Sequence, residues 1–284
     1  MGLRKLKEIL GINLLRLTIF ISILFLFLFI ILIFAKGAKM LSFSFLTQPP
    51  KSGMTKGGIF PAIIGTLYLT IFSVLFAFPI GVLSSIYLVE YAKKNFLVTI
   101  IRTAIGTLAG VPSIIFGLFG LAIFVITFGF GVSILSGSLT LGIMILPVII
   151  KASEEAIKAV PDSFREASYA LGATKRQTII KVVIPTAIPS ILTGAIMSIG
   201  RAAGETAPIL FTAATFYTRK LPTSIFDEVM ALPYHIYALM TEGTAPEYQV
   251  PIAYGTSVVL LGLVLVISSV SIIIRFRMRR KKKW

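Results

Sequence analysis

Arg201 and Glu205 stand four residues apart in an otherwise apolar run, so a helix would place them on one face. An ionisable group at the middle of a bilayer costs about 2.5–3.5 kcal/mol on insertion scales, so such groups face a bundle interior or a water-filled path. Ser190, Gly194, Ser198, Arg201, Glu205 and Thr212 fall within a narrow arc of that helix, a small and polar stripe. Pro208 removes a backbone donor and is expected to bend or break the helix there. One chemistry is anion passage, with Arg201 meeting the anion and Glu205 holding Arg201 in place and tempering its affinity. The other is a structural ion pair between neighbouring helices. Ser198, Arg201, Glu205 and Thr206 are the candidate path residues.

A second constellation occupies 151–185, KASEEAIKAVPDSFREASYALGATKRQTIIKVVIP. Ser163-x-x-Glu166 has the spacing of a capping box, Pro161 ends the preceding helix, and Gly172 suits the residue after a helix, where φ turns positive. Thr174-x-x-Gln177 repeats the box and opens the next helix. The result is a short helix over 163–171, too short to persist unsupported in water because few bonds repay its nucleation. It must dock. Phe164, Ala167 and Leu171 form one apolar stripe, with Arg165, Glu166 and Tyr169 elsewhere around the helix. The stripe fits either the chain's own bundle and lipid headgroups or a partner protein.

The elements that position both constellations are membrane helices. Of 284 residues 56% are hydrophobic and 13% charged, against roughly a quarter charged in soluble domains. Mean hydropathy is +0.96, and the apolar residues come in unbroken runs. A span needs about 20 apolar residues. Six segments qualify: 14–34, 61–89, 99–127, 138–159, 180–214 and 252–274. The first is too long for a signal peptide and lacks a clean cleavage site, so it reads as a retained, peripheral helix rich in Phe, Leu and Ile. The transmembrane core is 61–274, with small residues such as Gly106-x-x-x-Gly110 for close helix approach and an outer loop over 216–250.

The formal charge of +16 does not indicate nucleic acid, because the basic residues border apolar runs instead of sharing one face. With the N-terminus (1–13) inside, Arg4, Lys5, Lys7, Lys93, Lys94, Arg102, the 151–181 segment and the 275–284 tail all lie on the cytoplasmic side. Lys36, Lys39, Lys51, Lys56, Arg219 and Lys220 lie outside, the asymmetry of the positive-inside rule. Cysteine is absent, so no disulfide or cysteine-held metal is available. No Gly-Lys-Ser/Thr phosphate loop occurs, no internal repeat suggests a self-sufficient transporter, and one histidine with one deep acid is too little for a membrane enzyme. That histidine, His235, reads as a surface or interface residue of the outer loop. Pro112, within the third span, is either a gating bend or tolerated packing.

Glu166-Ala167-Ser168, Gly172 and Ile184-Pro185 resemble the EAA motif of ABC-importer permeases, with Ser168 where alanine is usual. The runs 58–66 (GIFPAIIGT), 111–117 (VPSIIFG) and 201–208 (RAAGETAP) are similar to the phosphate-importer permeases of the PstA type. The resemblance implies the type I ABC importer permease fold, all-α, with six transmembrane helices and a cytoplasmic coupling helix between the fourth and fifth. It makes Ser163, Glu166, Ala167, Ser168, Ala170, Leu171 and Gly172 the residues that meet an ATPase. It further implies a PstC-like second permease, a dimer of PstB-like ATPases and an extracytoplasmic phosphate-binding protein. The ATPase then binds the ATP, leaving this chain with no cofactor, metal or catalytic residue of its own.

Overall fold

The computed structural model describes residues 3–93 and 95–280. Lys94 and residues 281–284 of the basic tail lie outside the described residues, as do the side chains of Arg4, Lys5 and Lys7. The described residues are mainly helical, with a hairpin of two-residue strands, Pro50–Lys51 paired antiparallel with Lys56–Gly57, and an irregular stretch over 211–231.

The first span is α1 (Leu3–Gly37), whose apolar side chains from Leu10 to Phe34 stay exposed except for Ile30 and Ile33. Apart from a tie to the last helix it touches little, which suits a surface wetted by lipid. A short helix, α2 (Phe43–Thr47), leads through the hairpin to α3 (Phe60–Ile86), and α3 closes in a π-helical turn, Tyr87–Tyr91. Next come α4 (Phe96–Leu108) and α5 (Ser113–Gly120), the latter continued by a π-helical stretch, Leu121–Thr127. The fourth span is α6 (Ile134–Lys158).

The expected third span over 99–127 is not one helix. Its two halves meet at 106° between Leu108 and Ser113. Pro112 lies there with φ −56° and ψ 137°, outside helical space, and a proline also drives the residue before it away from helix. Among the described residues, five helices are therefore long and apolar enough to cross a membrane, and six if the bent pair is one span.

The remaining elements are α7 (Asp162–Ala170), α8 (Lys175–Thr178), α9 (Ile184–Gly204), α10 (Ala207–Leu210), α11 (Leu232–Thr241) and α12 (Pro246–Arg280). A π-helical turn, Ile179–Val183, joins α8 to α9, so the fifth span runs Lys175–Gly204. It stops ten residues before the expected end at 214: Glu205 is extended at ψ 133°, and Pro208 sits in the first turn of α10 instead of inside a continuing helix.

The core lies where α3, α6 and α9 meet. Leu69 and Ala77 of α3, Leu141, Met144, Ile145 and Ile149 of α6 and Ala202 of α9 are all buried there. Small residues set the spacing, but not those expected. A Cβ on Gly194 would collide with Ala152, which is why α9 can lie directly against α6. Gly106 and Gly110, by contrast, meet no other helix backbone closely.

Candidate functional site

The segment α7 is a nine-residue helix, and its sequence explains both its ends. The start differs from the expected box: Pro161 occupies the cap position, Asp162 and Ser163 are already helical, and no side chain caps the first turn. Proline restricts its own φ and supplies no donor, so it opens the helix without a side-chain acceptor. Ser163 and Glu166 therefore do not bond reciprocally, and both project outward.

The far end behaves as read. Gly172 has φ +79°, its amide donates to Tyr169 O at 2.9 Å, and the Ala173 amide donates to Ser168 O at 3.2 Å. This paired closure satisfies the last carbonyls of the helix. The Thr174 hydroxyl then accepts from the Gln177 amide while the Gln177 side chain accepts from the Thr174 amide, a complete capping box.

The predicted apolar stripe divides between two faces. Phe164 turns inward against Ala156, Ile157, Val160 and Ile191. Ser168 is buried beside it, its hydroxyl 2.9 Å from that of Thr178 at the start of the fifth span. Ala167, Ala170 and Leu171 face outward with Ser163 and Glu166, and Leu171 is 89% exposed.

Sequence reading missed the residue that anchors the seated face. The Arg165 side chain, 14% exposed, pairs with Glu90 in the π-helical turn at the end of α3, at 2.9 Å. It also donates to Val160 O at 2.7 Å and Ile157 O at 3.1 Å, carbonyls at and just beyond the end of α6. Beside it Arg102 of α4 reaches Glu154 of α6 at 2.7 Å and Leu88 O at 2.6 Å. The only sequence signal was a set of acids close to the apolar runs, which topology counting passes over.

The constellation around Arg201 is partly assembled. Arg201 Nε lies 3.4 Å from Glu205 Oε1, with side chains 35% and 20% exposed. The pair survives although Glu205 has left the helix, because its extended backbone folds the carboxylate back. Ser198 does not share the opening: it is buried and donates to Gly194 O at 2.9 Å. Thr206 is half-buried at the cap of α10, and Thr212 is buried and bonded to Pro208 O. Glu205 also borders a void of about 10 Å³ with Thr66 and Thr70. That holds one water at most, not an oxyanion.

His235 corrects the sequence reading. It is buried in α11, and among the described residues neither ring nitrogen has a hydrogen-bond partner. Within the outer segment 216–250, Met230, Leu232, Tyr234, Ala238 and Leu239 are buried on or beside α11, while most of 219–228 stays exposed. Burial pushes the His235 pKa from 6.5 down to about 4. A folded pKa below the unfolded one gives stability that is complete above pH 6.5 and lost as pH falls through 6.5 towards 4. Thermal unfolding in detergent should lose up to about 3 kcal/mol across that window, and His235→Phe should flatten the dependence. An equally steep loss in His235→Phe would assign it to other groups.

A bundle of membrane spans that exposes a short, half-seated helix beyond their ends has the architecture of a transport permease, built to work against other chains. The fold is similar to two solved ABC importers. One is the inward-facing MetNI methionine ABC transporter, 21% identical with a TM-score of 0.61, over 76% of this chain and 94% of that one. The other is a bacterial ABC transporter involved in import of the acidic polysaccharide alginate, 17% identical with a TM-score of 0.65, over 99% and 100%.

Residues 77–283 match the family model described as the binding-protein-dependent transport system inner membrane component. A probable ABC transporter permease protein, YqgI of Bacillus subtilis, is 38% identical over 82% of this chain and 83% of its own length. The phosphate transport system permease protein PstA of Mycobacterium leprae is 42% identical over 68% and 62%, and PstA 1 of Mycobacterium tuberculosis H37Rv is 37% identical over 80% and 72%. The chain belongs to the binding-protein-dependent transport system inner membrane component family, and it is a multi-pass inner-membrane protein.

Proposed function

We propose that the chain is a membrane-spanning permease subunit of an ATP-driven importer of inorganic phosphate, with both termini cytoplasmic. The observation that carries this reading is α7, seated on one side through Phe164 and Arg165 and bare on the other at Ala167, Ala170 and Leu171. That bare face suits a groove on a PstB-like ATPase dimer, which would hold the ATP. Relatives named as phosphate permeases support the cargo.

The void beside Glu205 is too small for phosphate, whereas Arg201 is partly open. The path is therefore shared with a PstC-like second permease, and an extracytoplasmic phosphate-binding protein delivers to it. Closure of the ATPases would move α7, rock the spans from inward- to outward-facing, and let phosphate pass Arg201 on its return. Glu205 would keep that arginine from trapping a dianion.

The test is uptake by the full complex in vesicles. Phosphate, but not sulfate, molybdate or a phosphonate, should stimulate hydrolysis, and dissipating ion gradients should leave uptake intact. Stimulation by another oxyanion would replace the substrate, and sensitivity to the gradients would overturn ATP drive. Leu171→Asp should weaken co-purification of the ATPase about tenfold, since a buried charge is costly and one contact residue carries much of a small interface. Unchanged co-purification would remove Leu171 from that interface.

A further inference from the structure

Arg165 makes more bonds than seating a short helix requires. Its Nε and Nη2 both reach Glu90 Oε1, at 3.4 and 2.9 Å, and Nη2 also reaches Ile157 O. Its Nη1 reaches Val160 O and, at 3.2 Å, Asp162 Oδ1. A guanidinium has five N–H donors. Every one is engaged, and the partners come from three elements: the π-helical end of α3, the end of α6, and the first turn of α7 itself. Glu90 and Arg165 are 75 residues apart in sequence, and the Glu90 side chain is only 8% exposed.

A buried ion pair is poor evidence for stability, because desolvation offsets most of its attraction. What it fixes is geometry. The joint from α6 to α7 is only Ala159–Pro161, and the α7 segment is otherwise held by Phe164 packing and the Ser168–Thr178 bond. The α3 and α6 spans are themselves closely fitted, since a Cβ on Gly81 would press on Ile149 and one on Gly142 on Phe76.

We propose that Arg165 is a positioning residue that locks α7 to the α3–α6 pair, so that a push on α7 moves those two spans as one body instead of being absorbed at the 159–161 joint. This rests on the function proposed above, and the test separates the two. A lysine has three donors around a point and cannot reproduce the five-bond fork. The absence of native cysteine lets the pair Tyr87→Cys and Tyr169→Cys, both at exposed positions and neither on the face assigned to the ATPase, carry the spin labels on this chain.

In the assembled complex the distance between those labels should stay the same with and without ATP. In Arg165→Lys or Glu90→Gln it should broaden and shift with nucleotide. Phosphate moved per ATP hydrolysed should fall about tenfold in both variants, the size of a typical coupling term, while the ATPase still co-purifies. Asp162→Asn, on the exposed branch of the fork, should behave as the parent. A label distance in the parent that changes with ATP would overturn the proposal, as would Arg165→Lys coupling normally. Loss of ATPase binding in step with transport would also overturn it, reducing the pair to a seat. Phosphate-independent hydrolysis by the parent would count against the substrate alone, because the label distances do not depend on cargo.

Discussion

Gly172→Val is expected to leave the complex assembled and hydrolysing ATP while phosphate uptake falls by more than about tenfold. The reason is backbone alone. At φ +79° a residue with a Cβ is strained by about 1–2 kcal/mol, and a β-branched one is worse placed still. No atom lies within 4 Å of where that Cβ would stand, so steric crowding is not the cause. To escape, the turn must surrender the bonds from Gly172 to Tyr169 O and from Ala173 to Ser168 O. That re-aims Leu171 and shifts the register between α7 and the Thr174 capping box. The order of a series follows: asparagine, which tolerates left-handed φ, should nearly match glycine, alanine should fall between, and valine should be lowest. Hydrolysis and uptake measured on the same vesicles decide it. Valine transporting normally, or alanine and asparagine failing equally, would show that the turn's conformation does not matter.

Why this turn was legible and the helix start was not comes down to chemistry. Gly172 and the Thr174–Gln177 box act on neighbours in sequence, and their residue types are nearly specific to the job. Ser163-x-x-Glu166 has the same local spacing, but Pro161 two residues upstream moved the start to Asp162 and placed Ser163 inside. Spans were legible because hydrocarbon thickness sets their length, and all six apolar runs reappear as helical segments. The bend at 109–112 was signalled by Pro112, yet hydropathy averages over a break and cannot see direction. Arg165–Glu90 was invisible because it joins positions 75 apart. His235 was misplaced because a loop between spans was assumed to be wet, whereas α11 packs its histidine inward.

Arg201→Ala should reduce uptake by about a hundredfold, the equivalent of the ~3 kcal/mol that a hydrogen bond to a charged group can contribute, with assembly retained. Two readings of the pair predict different double variants. If Arg201 and Glu205 only hold structure together, the single change hurts by leaving Glu205 unpaired in a poorly solvated place, and removing Glu205 as well should restore transport. If Arg201 meets the anion, the double variant stays inactive because nothing replaces the cation. The geometry favours the second outcome. The Arg201 side chain is 35% exposed, and at 3.4 Å its contact with Glu205 is long for a pair whose purpose is cohesion. Both residues also stand next to each other on one chain, so their bond joins no separate helices. Glu205→Gln should then bind phosphate more tightly and release it more slowly, so that uptake falls while apparent affinity rises. Recovery of uptake in the double variant would make the pair a brace and move the anion's route elsewhere.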